Sequence, residues 1–211
     1  MALSEQDRLA AYHLRYVRYI AEQGKPYPEA DHQQQILTDE LDDDGDIIVV
    51  ENDGAICATV RANWFNSPST QARYNHVFEL TSFSAIPRAE ITVVFRLAAS
   101  LDQRDARARE KILDALYERA LDRNTKIGLM TCAPFLVRMF RKYGWREYLD
   151  PIEDPIVGKL HRMVLALHDL DYLAQCDSPL HRIAKERELA AVSHDWLSVM
   201  LNNYKAQYAP T

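Results

Sequence analysis

Residues 89–124 read AEITVVFRLAAS, then LDQRDARAR, then EKILDALYERALDRN, and the rest of the chain is arranged around them. The first piece is rich in Val, Ile, Phe and Thr, with Arg96 its one late charge, the pattern of a strand buried on both faces. In the last piece Ile112, Leu113, Leu116, Tyr117, Ala120 and Leu121 recur at steps of three and four, the apolar stripe of an amphipathic helix. Between them lies a polar loop carrying Arg104, Arg107 and Arg109. A strand that delivers unpaired N–H groups and basic side chains to a helix N-terminus makes a site for an anionic group, for which a pyrophosphate is the working expectation. Cations at a helix start oppose its dipole unless an anion arrives, so the three arginines argue for ligand binding without further knowledge.

Outward from this stretch, the chain of 211 residues is long enough for one sizeable core, and 47% apolar with 27% charged residues is ordinary for a globular protein. A net charge of −6 speaks against sequence-independent binding to nucleic acid or to an anionic membrane. Cys57, Cys132 and Cys176 are odd in number and widely spaced, which fits a reducing compartment and supplies no zinc site. No apolar run reaches the length of a membrane span, and the first residues are polar where a signal peptide is apolar; a cytoplasmic protein is expected.

Ser4 and Asp7 form an N-cap signature ahead of Leu9, Ala10, Leu14, Val17 and Ile20, predicting a first helix that ends near Gly24. Residues 25–35 (KPYPEADHQQQ) read as a loop. Residues 38–46 (TDELDDDGD) read as a solvated acidic turn. Residues 46–64 form a hairpin around Asn52-Asp53-Gly54. Residues 65–76 read as a loop and 78–87 as a short helix or an irregular connection. Residues 126–134 predict a second buried strand, with Gly128 a point of close backbone approach. A short helix follows, burying Phe135, Leu136, Met139 and Phe140 and ending at Gly144. Residues 146–168 predict two strands joined by a proline-rich connection; then come a helical stretch at 169–175 and one at 179–208, burying Leu180, Ile183, Leu189, Val192, Trp196 and Met200. Residues 1–176 are expected to form one domain, with 177–211 a helical extension packed on it and a candidate homodimer or partner surface.

This order of elements resembles the GNAT superfamily of acyl-CoA N-acyltransferases, and most of all its acyl-homoserine-lactone and N-acyl amino acid synthase branch. Arg15 and Tyr19 on the first helix, Glu29 and Asp31 in PYPEADH, Arg61 in ATVRANW and Arg96 in VFRLAA carry the resemblance, which spans residues 11–169. It implies a mixed α/β acyltransferase fold: a twisted, mostly antiparallel sheet, splayed near its middle and flanked by helices. It also implies an acyl-CoA or acyl-carrier-protein donor and a small amine or amino acid acceptor. By that resemblance Glu29, Asp31, Arg61 and Arg96 serve catalysis, Arg15, Tyr19 and Glu79 the acceptor, and Leu97, Ala98, Ala99, Arg104, Arg107, Ala108 and Arg109 the donor.

Two departures stand out. The superfamily's glycine-bearing phosphate loop is matched by Arg104-Asp105-Ala106-Arg107-Ala108-Arg109, without glycine. Its helix motif with a general-acid tyrosine is matched at Phe140, Lys142, Gly144 and Trp145, so Phe140 stands for the tyrosine. Aminolysis of a thioester needs a base, oxyanion donors and an exit for the thiolate. Backbone N–H groups at 96–99 are candidates for the second, and Glu29, Asp31, His32, Glu79 and Glu90 for the first. Arg61 and Arg96 read equally well as acceptor ligands or as partners of the acidic run at 38–46. Cys132 reads as a small buried residue rather than a nucleophile, and His32, His161 and His168 as structural. A module that binds acyl thioesters without turnover is the alternative.

Overall fold

The structure, a computed structural model, describes residues 4–190 of the chain. Helix α1 (Glu5–Tyr16) opens on a capping box between Ser4 and Asp7, then widens into a π turn over Val17–Ala21 and ends at Gly24, φ +62°. The loop after it contains a two-residue ladder, β1 (Ala30–Asp31) with β2 (Ile36–Leu37). Strands β3 (Asp46–Asn52) and β4 (Ala55–Trp64) form the expected hairpin, and Asp53 and Gly54 take the positive φ values, 50° and 77°, that a tight two-residue turn requires.

The remaining elements are α2 (Pro68–Phe78), β5 (Ile91–Ala99), α3 (Ala108–Asp122), β6 (Ile127–Cys132), α4 (Pro134–Lys142), β7 (Arg146–Asp154), β8 (Gly158–Ala166), α5 (Leu170–Gln175) and α6 (Pro179–Glu186). The main sheet runs β3-β4-β5-β6-β8-β7, and every pairing is antiparallel except β5 with β6. That parallel pairing lasts only from Ile91 opposite Ile127 to Val94 opposite Met130. On one face, α3 and α6 bury Ile112, Leu116, Leu180 and Ile183 with Phe140 and Trp145. On the other, α2 and its neighbours bury Phe65, Tyr74, Phe78, Phe83 and Tyr148.

Four segments differ from the sequence expectation. The stretch read as a loop at 65–76 is largely α2: Ser67 caps it through the N–H of Thr70 and Pro68 opens the first turn, so the Ser-Pro pair is a helix start and not a turn. Pro151 lies inside β7, which is tolerated because β7 is an edge strand with register shifts around that point. Phe135 is not buried with Val137 and Phe140 but 80% exposed, because it lies in the first turn of α4 and faces outward. Finally α6 stops at Glu186, with Glu188 at φ +51°, so 179–208 is not one helix; Val192, Trp196 and Met200 lie outside the described residues.

Gly128 does mark a close approach: a Cβ there would stand 3.2 Å from Cη2 of Trp145. Gly128→Ala is expected to overpack this contact and lower stability by about 1–3 kcal/mol, read as a fall in melting temperature of roughly 2–10 °C; an unchanged melt would show that the indole shifts freely.

Candidate functional site

Past Val94 the sheet opens. Thr59 pairs with Ala98 but Arg61 with Phe95, so β5 carries one extra residue in a bulge, and Arg96 within it adopts φ +59°. Strand β6 meanwhile continues only against β8. The splay expected at 96–99 is therefore present, and it opens a cavity of about 600 Å³. One part is apolar, lined by Val94, Leu97, Met130, Leu136, Met139 and Trp145. The other is polar, with Tyr19, Tyr27, Glu29, Asp39 and Arg96. Arg18, Arg109 and Phe135 lie at its border.

Behind the polar part is a buried ion network: Arg61 and Arg96 do pair with the acidic run at 38–46, the alternative the sequence offered, but the pairs are buried and Arg15 joins them. The run at 38–46 is not a wholly solvated turn: Asp42 is 3% exposed, and Asp39 also turns inward. Asp39 accepts from Arg61 Nη1 at 2.7 Å and from Arg96 Nη2 at 2.8 Å and Nε at 3.2 Å. Asp42 accepts from Arg15 Nη1 at 2.8 and 2.9 Å, from Arg61 Nη1 at 3.3 Å and from the Asp39 N–H at 2.8 Å. Arg61 also donates to the Tyr74 hydroxyl at 3.3 Å. Burial alone would raise the Asp39 carboxyl, but the guanidiniums of Arg61 and Arg96 overcome it and hold the group well below the usual carboxylate range. Three arginines face two carboxylates here, an excess of one positive charge. Among the described residues, Arg15 Nε and Nη2 and Arg61 Nε find no acceptor.

The predicted site residues divide accordingly. Glu29, Arg96, Tyr19, Leu97, Ala98, Ala99 and Arg109 line the cavity. The Tyr19 hydroxyl donates to the Leu97 carbonyl at 2.6 Å, fixing the bulge, and burial pushes its pKa up to about 12. Arg15 and Arg61, both 0% exposed, stand behind the cavity rather than in it. Asp31 is spent on a turn, accepting from the N–H groups of Gln33 and Gln34, and Glu79 pairs with Arg162 at 3.0 Å. Glu90 pairs with Lys126 at 3.8 Å, and His32 with the Tyr16 hydroxyl at 3.0 Å.

Arg104 and Arg107 are answered within the chain. Arg104 Nη2 meets Asp102 at 2.8 Å and Arg107 Nε meets Glu110 at 3.1 Å, both exposed, and Ala108 is buried at the helix start. The dipole argument for a ligand therefore falls away for these two, because neighbouring carboxylates already supply the anions. Arg109 keeps it: its contact is the Met139 sulfur at 3.8 Å, and it borders the cavity. Burial, and then the nearby Arg109, holds the Arg18 guanidinium below its usual value.

Cys132 also lines the cavity, but burial and then Glu147 raise its pKa to about 12, so it is a thiol at neutral pH and no nucleophile. His161 pairs with Glu147 at 2.8 Å. Among the described residues, no group of three or more His, Cys, Asp or Glu could hold a metal ion, and no helix is long and apolar enough to cross a membrane.

No family model matches the sequence, and no curated protein does. Solved structures do match it in shape. TofI, in a ternary complex with an inhibitor and MTA, is 21% identical at TM-score 0.64, over 84% of this chain and 93% of its own. BjaI, a CoA-dependent acyl-homoserine lactone synthase crystallised with MTA, is 14% identical at TM-score 0.66, over 93% of this chain and 92% of its own. FeeM, an N-acyl amino acid synthase from uncultured soil microbes, is 12% identical at TM-score 0.60, over 82% of this chain and 96% of its own. The chain has the GNAT fold. Within that GNAT fold the splay between β5 and β6, the bulge at Arg96 and the inward-turned Asp39 and Asp42 form one connected site at the middle of the sheet.

Proposed function

We propose that this GNAT-fold protein transfers an acyl group from a thioester, carried by coenzyme A or an acyl carrier protein, to the amino group of a small amine or amino acid. The observation that carries the reading is a single cavity, apolar at one end and ionic at the other, opened where the sheet parts. An acyl chain fits the apolar part, and a small charged acceptor fits the polar part, where Glu29 and Arg96 line the wall in front of the ion network. A structure of BjaI holds SAM and isopentyl-CoA together, which supports pairing a coenzyme A thioester with an amino acid derivative. The donor's phosphates are met by Arg109, since Arg104, Arg107 and, through Glu22, Arg18 are already paired within the chain.

In this reading Arg96, held by Asp39 and stacked over Tyr27 at 4.6 Å, orients the acceptor, while backbone N–H groups of the β5 bulge receive the oxyanion. Asp39 is too acidic to serve as base. Of the other lining carboxylates, Asp154 is spent on the N–H groups of Ile156 and Val157; Glu29 takes the ammonium proton through water and leaves the amine free to attack. Attack forms the C–N bond, the nitrogen gives up its second proton to solvent, collapse breaks the C–S bond, and the thiolate takes a proton from solvent in turn, since Phe140 has none to give.

A melting titration with coenzyme A, acetyl-coenzyme A, long-chain acyl-coenzyme A and acylated carrier protein tests this, with ATP as the control for plain phosphate attraction. A thioester at a hundred times its Kd is expected to add about 2.7 kcal/mol, raising the melting point by roughly 5–10 °C, and to release free thiol when amino acids are added. The glycine-free loop and Phe140 favour a second reading, a module that binds acyl thioesters without turnover. A melting shift with no thiol release would select it; no shift with any donor would remove both.

A further inference from the structure

Behind the apolar part of the cavity lies a second, smaller void of about 20 Å³ on the α3 and α6 side of the sheet. Its walls include Tyr117, Ala120, Leu165 and Leu180. Two of the polar groups it borders are satisfied: the Tyr117 hydroxyl donates to the Leu167 carbonyl at 2.6 Å and the Thr92 hydroxyl to the Asn63 carbonyl at 2.9 Å, and the rest of the lining apart from Tyr143 is apolar or glycine. The void therefore suits an alkyl chain better than a water. Val94, Leu113, Leu116 and Trp145 line both spaces, so these side chains form the partition between them. The indole is much the largest of the four. It is 3% exposed, edge-on to Phe140 at 6.3 Å, and set close over Gly128, where a Cβ would stand 3.2 Å from the ring.

We infer that Trp145 is the floor of the acyl pocket and sets the longest acyl chain the protein accepts, with the void behind it as reserve space that the indole closes off. This rests on the acyl-transfer reading and specifies its donor. An acyl chain entering from the splay runs along Leu97 and Met130 and ends against the indole; truncating that ring joins the two spaces.

The test is a binding series of S-acyl pantetheines and acyl-coenzyme A esters of about four to about sixteen carbons, measured calorimetrically on wild type, Trp145→Ala and Trp145→Phe. Each methylene added inside an apolar pocket tightens Kd about fourfold, and the gain stops where the chain meets the floor. In Trp145→Ala the gain is expected to continue for about two to four further carbons, giving roughly tenfold or more tighter binding of the longest chains, with the shortest unchanged within about twofold. Trp145→Phe should move the limit in the same direction by less. Trp145→Ala truncates a core residue, so melting is checked first, and the phenylalanine variant, which keeps an aromatic ring in place, decides the matter if the alanine variant does not fold. An identical length limit in wild type and a folded Trp145 variant overturns the inference while leaving acyl transfer intact. Failure of every ester to bind wild type overturns the acyl-transfer reading, and this inference with it.

Discussion

Asp42→Asn is expected to lower the melting temperature by roughly 6–20 °C, although it changes one carboxylate among several in an acidic run. The carboxylate is nearly inaccessible and, among the described residues, is the anion bonded to Arg15, which is itself fully buried. Removing one partner of a buried pair leaves an uncompensated charge and costs about 3–5 kcal/mol, and a domain of this size loses about 2–4 °C per kcal/mol. Asp43→Asn is the control: its side chain is 97% exposed and meets Arg8 at the surface, so its loss should fall within about 0.5 kcal/mol. Equal effects at the two positions would contradict the network. Asp39 adds a pH dependence of defined sign. Its carboxyl is held below its unfolded value by Arg61 and Arg96, so its stabilisation is complete above about pH 4 and is lost as the pH falls through the lowered folded value. Asp39→Asn should flatten the acid limb of a stability–pH curve; an unaltered limb would count against the pairing.

Arg96→Lys is expected to lower turnover about a hundredfold while leaving thioester binding within about twofold of wild type. Arginine presents two N–H groups to the same Asp39 oxygen and lays its flat guanidinium over Tyr27. Lysine offers one compact charge on a flexible stem and cannot do both. The effect should therefore fall on positioning of the acceptor and not on the donor, which occupies the apolar side of the cavity. Turnover within threefold of wild type in a folded Arg96→Lys protein would remove Arg96 from the reaction, while equal loss of donor binding would show a collapsed cleft. The melting temperature of the same variant separates a structural loss from a catalytic one.

What could be read from the sequence was what depends on near neighbours. The hairpin at Asp53-Gly54, the central strand and the stripe from Ile112 to Ala120 are encoded by local period and turn chemistry, and each appears within a few residues of its expected bounds. The parting of the sheet at 96–99 was reached by resemblance and is present. Asp39 and Asp42 were hidden because nothing local distinguishes them from the exposed Asp43 and Asp44; their burial is decided by Arg15, Arg61 and Arg96, which arrive from three other elements. Glu29 and Asp31 looked alike in one short loop, yet one lines the cavity and the other closes a turn. Arg104 and Arg107 looked available because the sequence does not show whether a nearby Asp102 or Glu110 will fold back on them.

The brief parallel contact between β5 and β6 also has a mechanical meaning. Four paired positions, Ile91 to Val94, join a leaf of β3, β4 and β5 to a leaf of β6, β8 and β7. Each leaf is laced internally by long antiparallel ladders, so each is stiff, and the seam between them is short. Spreading the leaves beyond Val94 breaks no strand pairing, because none exists there. The sheet is thus joined like a book bound only at one end of its spine, with its free edges apart and its hydrogen-bonded pages intact.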